Sequence, residues 1–130
     1  MRALLGSLLL LCVGLARAQS AAPTHPLAIV TQDGIALRAE ARDSSARHAV
    51  LWQGESLEVR GRTLDYLQVY DHRIERAGFV RASQVHVLST QPEDAPGLLA
   101  VVRFLRDMPG SEALGIAYTA AYLKAAPGNA

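Results

Sequence analysis

Between Leu27 and Leu88 the chain alternates: short segments with apolar residues at every second position, each ending at a turn signal. Ile35-Ala36-Leu37-Arg38, Leu57-Glu58-Val59 and Tyr66-Leu67-Gln68-Val69-Tyr70 follow this rule. A strand turns successive side chains to opposite faces, so this spacing predicts half-buried strands rather than amphipathic helices. Ala28-Ile29-Val30-Thr31 is a β-branched run, and Val50-Leu51 and Phe79-Val80 supply further strand cores. Asp33-Gly34 and Gln53-Gly54-Glu55 read as tight turns. Ala39 to Arg47 is polar and reads as an exposed loop. Ala82-Ser83-Gln84-Val85 reads as one helical turn before a last strand, His86-Val87-Leu88. Five or six short strands in about 60 residues predict a compact β-barrel.

After Leu88 the pattern changes. Residues 89–95 form a linker, and residues 96–126 read as a helical hairpin, so the fold class is mainly β with an α appendage. Leu98, Val101, Val102 and Leu105 fall at i, i+3, i+4 and i+7, one apolar stripe of a helix. Asp94 is positioned to cap it, with Pro96 tolerated in the first turn. Met108-Pro109-Gly110 breaks the pattern, and Ser111 is positioned to cap a second helix whose face carries Leu114, Tyr118, Ala121, Tyr122 and Ala125. Two short helices cannot bury both stripes on each other alone. They need cover from the strands, from a further helix beyond the end of this chain, or from a partner.

The first 18 residues read as a signal peptide. Arg2 supplies the positive start, Ala3 to Ala16 a Leu-rich apolar run, and Ala16-Arg17-Ala18 the small residues at a cleavage site after Ala18. The run falls short of the roughly 20 residues that span a bilayer, so no stable membrane insertion is expected after cleavage. Leu11 before Cys12 is too bulky for the lipoprotein pattern. Residues 19–26, proline-broken and polar, read as a disordered leader. Without Arg2 and Arg17 the 13 basic residues become 11, against 12 acidic ones. A near-neutral chain has no electrostatic reason to seek nucleic acid. The one cysteine, Cys12, lies in the signal peptide, so the remainder has no disulfide and no thiolate chemistry.

The strand segment resembles the bacterial SH3-like domain of exported envelope proteins. Ala36-Leu37-Arg38-Ala39-Glu40-Ala41 is similar to the family's Asn-Val-Arg-Ser-Gly-Pro stretch, without the Gly-Pro. Leu51-Trp52-Gln53-Gly54 corresponds to its hydrophobic-Lys-Lys-Gly turn. Asp65-Tyr66-Leu67-Gln68-Val69 stands at its Trp-Tyr-Lys-Val segment, with Asp65 in place of the Trp, and Gly78-Phe79-Val80 stands at its Gly-Trp-Val. The resemblance covers Leu27 to Leu88. It implies a small barrel that binds or spaces rather than catalyses, with peptidoglycan peptides or an envelope protein as the partner, in the periplasm or another extracytoplasmic location.

Five residues are candidate ligand contacts. Trp52, the only tryptophan, either stacks on a sugar or peptide, or covers the barrel end and receives a helix. Tyr66 and Tyr70 share one strand face and either line a groove or wrap a barrel edge. Arg38 and Arg42, with Arg47, either grip a carboxylate such as a stem-peptide terminus or form local ion pairs with Glu40 and Asp43. His25, His48, His72 and His86 lack zinc-ligand spacing. There is no Gly-rich phosphate loop, no Gly-x-Ser-x-Gly elbow and no Cys/His pair. The expectation is a non-catalytic envelope module without a cofactor. The alternative is an interaction protein that works through the Leu98–Leu105 and Leu114–Tyr122 helix faces, with the barrel as a spacer.

Overall fold

A computed structural model describes residues 25–126; the proposed signal peptide and most of the leader lie outside them. Seven strands form one antiparallel sheet: β1 (Leu27–Val30), β2 (Ile35–Arg38), β3 (Arg47–Leu51), β4 (Ser56–Thr63), β5 (Tyr66–Asp71), β6 (Arg76–Arg81) and β7 (Val85–Leu88). Two helices follow, α1 (Ala95–Arg106) and α2 (Glu112–Ala125). The strand order is β3-β2-β6-β5-β4-β1-β7. The fold is therefore mainly β with an α appendage. Among the described residues no helix is long and apolar enough to cross a membrane.

The alternation predicts a closed barrel; the sheet instead stays open, with β3 and β7 as its edges. One apolar cluster nevertheless draws side chains from every strand, including Leu37, Leu51, Leu57, Val69, Val80 and Val85. Among the described residues no helix joins this cluster, and the strands bury it by themselves. Register shifts in the β2–β3 pairing at Leu37/Arg38 and in the β4–β5 pairing at Val59/Gly61 supply local bending. The turn after β3 is tied to β1: Gly54 N–H donates to Val30 O at 2.8 Å, and Val30 N–H to Glu55 O at 2.9 Å.

β1 separates two cores. Ala28 and Val30 enter the strand core, while Ile29 points the opposite way into a second cluster with Ala95, Leu98, Ala117, Tyr118, Ala121 and Ala125. All three β1 residues are fully buried. A strand covered on both faces can carry a continuous apolar run, which accounts for Leu27-Ala28-Ile29-Val30. The Tyr118 hydroxyl hydrogen-bonds with His86 Nδ1 on β7, and burial pushes the Tyr118 phenol pKa up. Of the three covers expected for the helix faces, the strands supply one: the faces pack against each other and against β1 and β7.

Both expected helix caps are corrected. Asp94 makes no side-chain cap bond; it closes a 3₁₀ turn, Pro92–Asp94, and already has helical backbone angles. Ser111 does not cap α2 with its side chain either. Its hydroxyl points back to α1, within donating distance of Leu105 O at 2.9 Å and Met108 O at 2.5 Å. Leu105 stands in the last turn of α1 and Met108 just after it, so Ser111 secures the end of α1 rather than the start of α2.

Candidate functional site

The site forms on the outer face of the sheet where three strand ends meet. Along β5, Leu67, Val69 and Asp71 point inward, and Tyr66, Gln68 and Tyr70 point outward. Tyr66 lies opposite Arg81 in the β5–β6 register, and Arg38 lies opposite Phe79 in the β2–β6 register. The period of two then sets Tyr66, Arg81 and Arg38 on one face. Tyr66 is nevertheless buried, because the loop 39–46 folds over its hydroxyl.

That loop is closed by Ala39 N–H donating to Ala46 O at 2.8 Å, with Ser45 N–H donating to Arg42 O at 3.2 Å inside it. Its Asp43 carboxylate accepts the Tyr66 hydroxyl proton and a two-pronged guanidinium bond from Arg81, whose Nε lies 3.0 Å from Oδ1. Arg38 Nη1 donates to Ser45 O at 3.0 Å from the opposite side. The Tyr66 hydroxyl, then Arg81, holds the Asp43 carboxyl below the usual carboxylate range. The same hydrogen bond to Asp43 raises the Tyr66 phenol, and Asp43 raises the Arg81 guanidinium. A phenol shifted upward stays protonated at neutral pH, so Tyr66 serves this site as a hydrogen-bond donor.

Beside this cluster lies a cavity of about 130 Å³, lined by Arg38, Arg47, Tyr66 and Arg81 together with Gly34, Ile35, Ala36 and Gln84. Three arginines line it. Arg81 is committed to Asp43, and Arg38 to Ser45 through one nitrogen. Among the described residues the Arg47 side chain has neither a hydrogen-bond nor an ion-pair partner.

Of the five candidate residues, the structure brings Arg38 and Tyr66 to this cavity and sets the other three elsewhere. Arg42 is exposed and pairs with Glu40 at 2.6 Å. Trp52 is exposed beside the β3–β4 turn, where its backbone N–H donates to Glu55 Oε2 at 3.2 Å. Tyr70 shares the strand face of Tyr66 but lies four residues along, about 13 Å away. It belongs to a second cluster. The Arg60 guanidinium lies 4.2 Å from its ring centroid, and His72 meets its ring edge-on at 4.7 Å. Glu58 organises that cluster, with His72 at 2.8 Å, Arg60 at 3.1 Å and His25 at 3.7 Å. The His72 hydrogen bond, aided by Arg60, lowers the Glu58 carboxyl pKa.

Sequence reasoning did not single out Arg81. Its signal was the alternation in Gly78-Phe79-Val80-Arg81, which sends Arg81 outward beside the first residue of β5. Among the described residues no group of three or more His, Cys, Asp or Glu side chains is placed to hold a metal ion. No protein-family description matches the chain, and no curated protein is significantly similar to it.

Proposed function

We propose that this chain is an exported, non-catalytic binding module of the cell envelope, built on an open, SH3-like arrangement of strands. It recognises the free carboxylate of a peptide, such as the terminus of a peptidoglycan stem peptide or an envelope protein. One observation carries this reading: Arg38, Arg47 and Arg81 line a small cavity with Tyr66, and the Arg47 side chain has no partner among the described residues. Guanidinium forks match carboxylates in shape and charge. Asp43 marks the geometry, because its carboxylate is already held there by a fork and a phenol. A cavity of about 130 Å³ suits a carboxylate with a small side chain better than a sugar ring.

The test compares short peptides ending in D-Ala with their C-terminal amides by NMR titration, alongside retention of the protein on purified sacculi. The free acids should perturb residues around Arg38, Arg47 and Tyr66, and the amides should not. Arg47→Ala should bind roughly tenfold to hundredfold more weakly, the usual effect of losing a hydrogen bond to a charged group. Equal binding of acid and amide, or binding that Arg47→Ala leaves intact, would refute the carboxylate reading.

A further inference from the structure

A soluble helix packed on one side ordinarily presents polar residues on the other. α1 follows it only in part: Arg103 and Arg106 are exposed, and so is Phe104, at 67%. α2 does not: its outer side carries Ala113, Ile116 and Ala120, and the helix has almost no polar–apolar asymmetry. Ile116 is 73% exposed. It borders a groove of about 410 Å³ between the helices, whose floor and walls include Val102, Leu105, Met108, Gly115 and Thr119. This groove is separate from the arginine-lined cavity.

Its two rims differ in charge. Arg103 and Arg106 stand on the α1 rim, and Glu112 on the α2 rim. The helices run as a hairpin, so the last turn of α1 and the first turn of α2 lie at the same end of the groove. Arg103 has no partner among the described residues. Arg106 meets only its neighbour Asp107, at 3.3 Å on the surface, and Glu112 accepts only a long bond from Gly110 N–H at 3.4 Å. The rim charges are therefore available.

A surface that is cationic on one rim, apolar in the middle and anionic on the other rim is self-complementary. Such a patch satisfies the requirement of a two-fold interface, in which the same surface serves both copies. We propose that the groove receives a second copy of this chain, related by a two-fold axis running along it. Each copy's α1 rim then lies over the other's α2 rim, which pairs Arg103 and Arg106 with the opposing Glu112 twice. Each Ile116 is buried against the α1 side of the partner groove, beside Val102. A partner with a uniformly charged surface would match one rim and repel the other.

The test is sedimentation of the purified chain over a concentration series, comparing wild type with Ile116→Glu, Glu112→Arg and Arg103→Glu/Arg106→Glu. The wild type should dimerise. Ile116→Glu should weaken dimerisation roughly tenfold to hundredfold, as expected for burying a charge in place of an aliphatic side chain. Each charge variant alone should be monomeric. An equimolar mixture of the two should form a heterodimer, because both rim pairs are then opposite in sign. All altered side chains are exposed, and unchanged melting curves will show that the variants fold. A wild type that stays monomeric at its highest soluble concentration would overturn the proposal. So would a dimer indifferent to Ile116→Glu, or a mixture that fails to associate.

Discussion

Tyr66 and Arg81 face each other across β5 and β6, and both bond to one carboxylate, that of Asp43, contributed by a loop that closes over them. The pairing anchors the loop 39–46 over one end of β5 and β6. It also holds the loop against the sheet with a charge-assisted contact that depends on pH.

The Asp43 carboxyl titrates lower in the folded chain than its unfolded value of about 3.9. A lowered folded pKa contributes stability that is complete above the unfolded value and is lost as pH falls through the folded one. Urea midpoints measured between neutral pH and strongly acidic pH should therefore fall more steeply for wild type than for Asp43→Asn. Tyr66→Phe, which removes the largest cause of the shift, should move the Asp43 titration upward, as followed by carboxyl NMR. Matching pH profiles for wild type and Asp43→Asn would contradict the contact.

Ile29 is the β1 side chain that enters the helix cluster with no exposed surface. Ile29→Ala should cost about 2–5 kcal/mol, the range for emptying a buried aliphatic site. Amide hydrogen exchange should localise the loss: α1 and α2 should exchange faster relative to β2, β5 and β6. Uniform acceleration across the sheet would show that the two cores unfold as one unit.

Gly54 has a φ of +90°, and a methyl group added there would lie 2.6 Å from Ala113 O at the start of α2. The turn and the helix touch backbone to backbone. Gly54→Ala therefore meets left-handed strain and overlap together and should cost about 2 kcal/mol or more. A denaturant melt within a few tenths of wild type would mean that α2 can move away freely.

The β4–β5 hairpin has a two-residue loop, Leu64-Asp65, with positive φ at Leu64 only. That is the pattern of a type II′ turn, which prefers glycine at its first position. Leu64 is 84% exposed and contributes little packing. Leu64→Gly should relieve the left-handed cost and, after the extra chain entropy of glycine, stabilise the chain by about 0.5 kcal/mol. Thermal melts of the pair of proteins would read it, and a lower midpoint for the glycine variant would reject this account of the turn.

The strand positions were legible because period 2 is a local property: the side chain after an inward one must point outward. Each strand overlaps a segment read as a strand, although five or six were expected and seven form, with β3 and β6 beginning earlier, at Arg47 and Arg76; the helix break at Met108-Pro109-Gly110 lies between α1 and α2. The loop 39–46 was legible from its polarity, and the inner faces of both helices from their 3.6-residue spacing. Which outward-facing residues meet was not legible. Asp43 and Arg81 are 38 residues apart, and only the β2–β6 and β5–β6 registers bring them together. Tyr66 and Tyr70 looked equivalent as alternate residues of one strand, yet the loop covers one and Arg60 and His72 flank the other. Asp94 and Ser111 had the right chemistry for caps, but the 3₁₀ turn and the α1 carbonyls took them over.

The sequence by itself determined which residues form strands and helices and which face of each is apolar, since these follow from local periodicity and turn chemistry. The tertiary structure decided that the sheet stays open, that both helices settle on the outer side of β1, and that Arg38, Arg47, Tyr66 and Arg81 share one cavity. Those outcomes depend on strand register and on competition among several apolar faces for the same cover. No single segment encodes them.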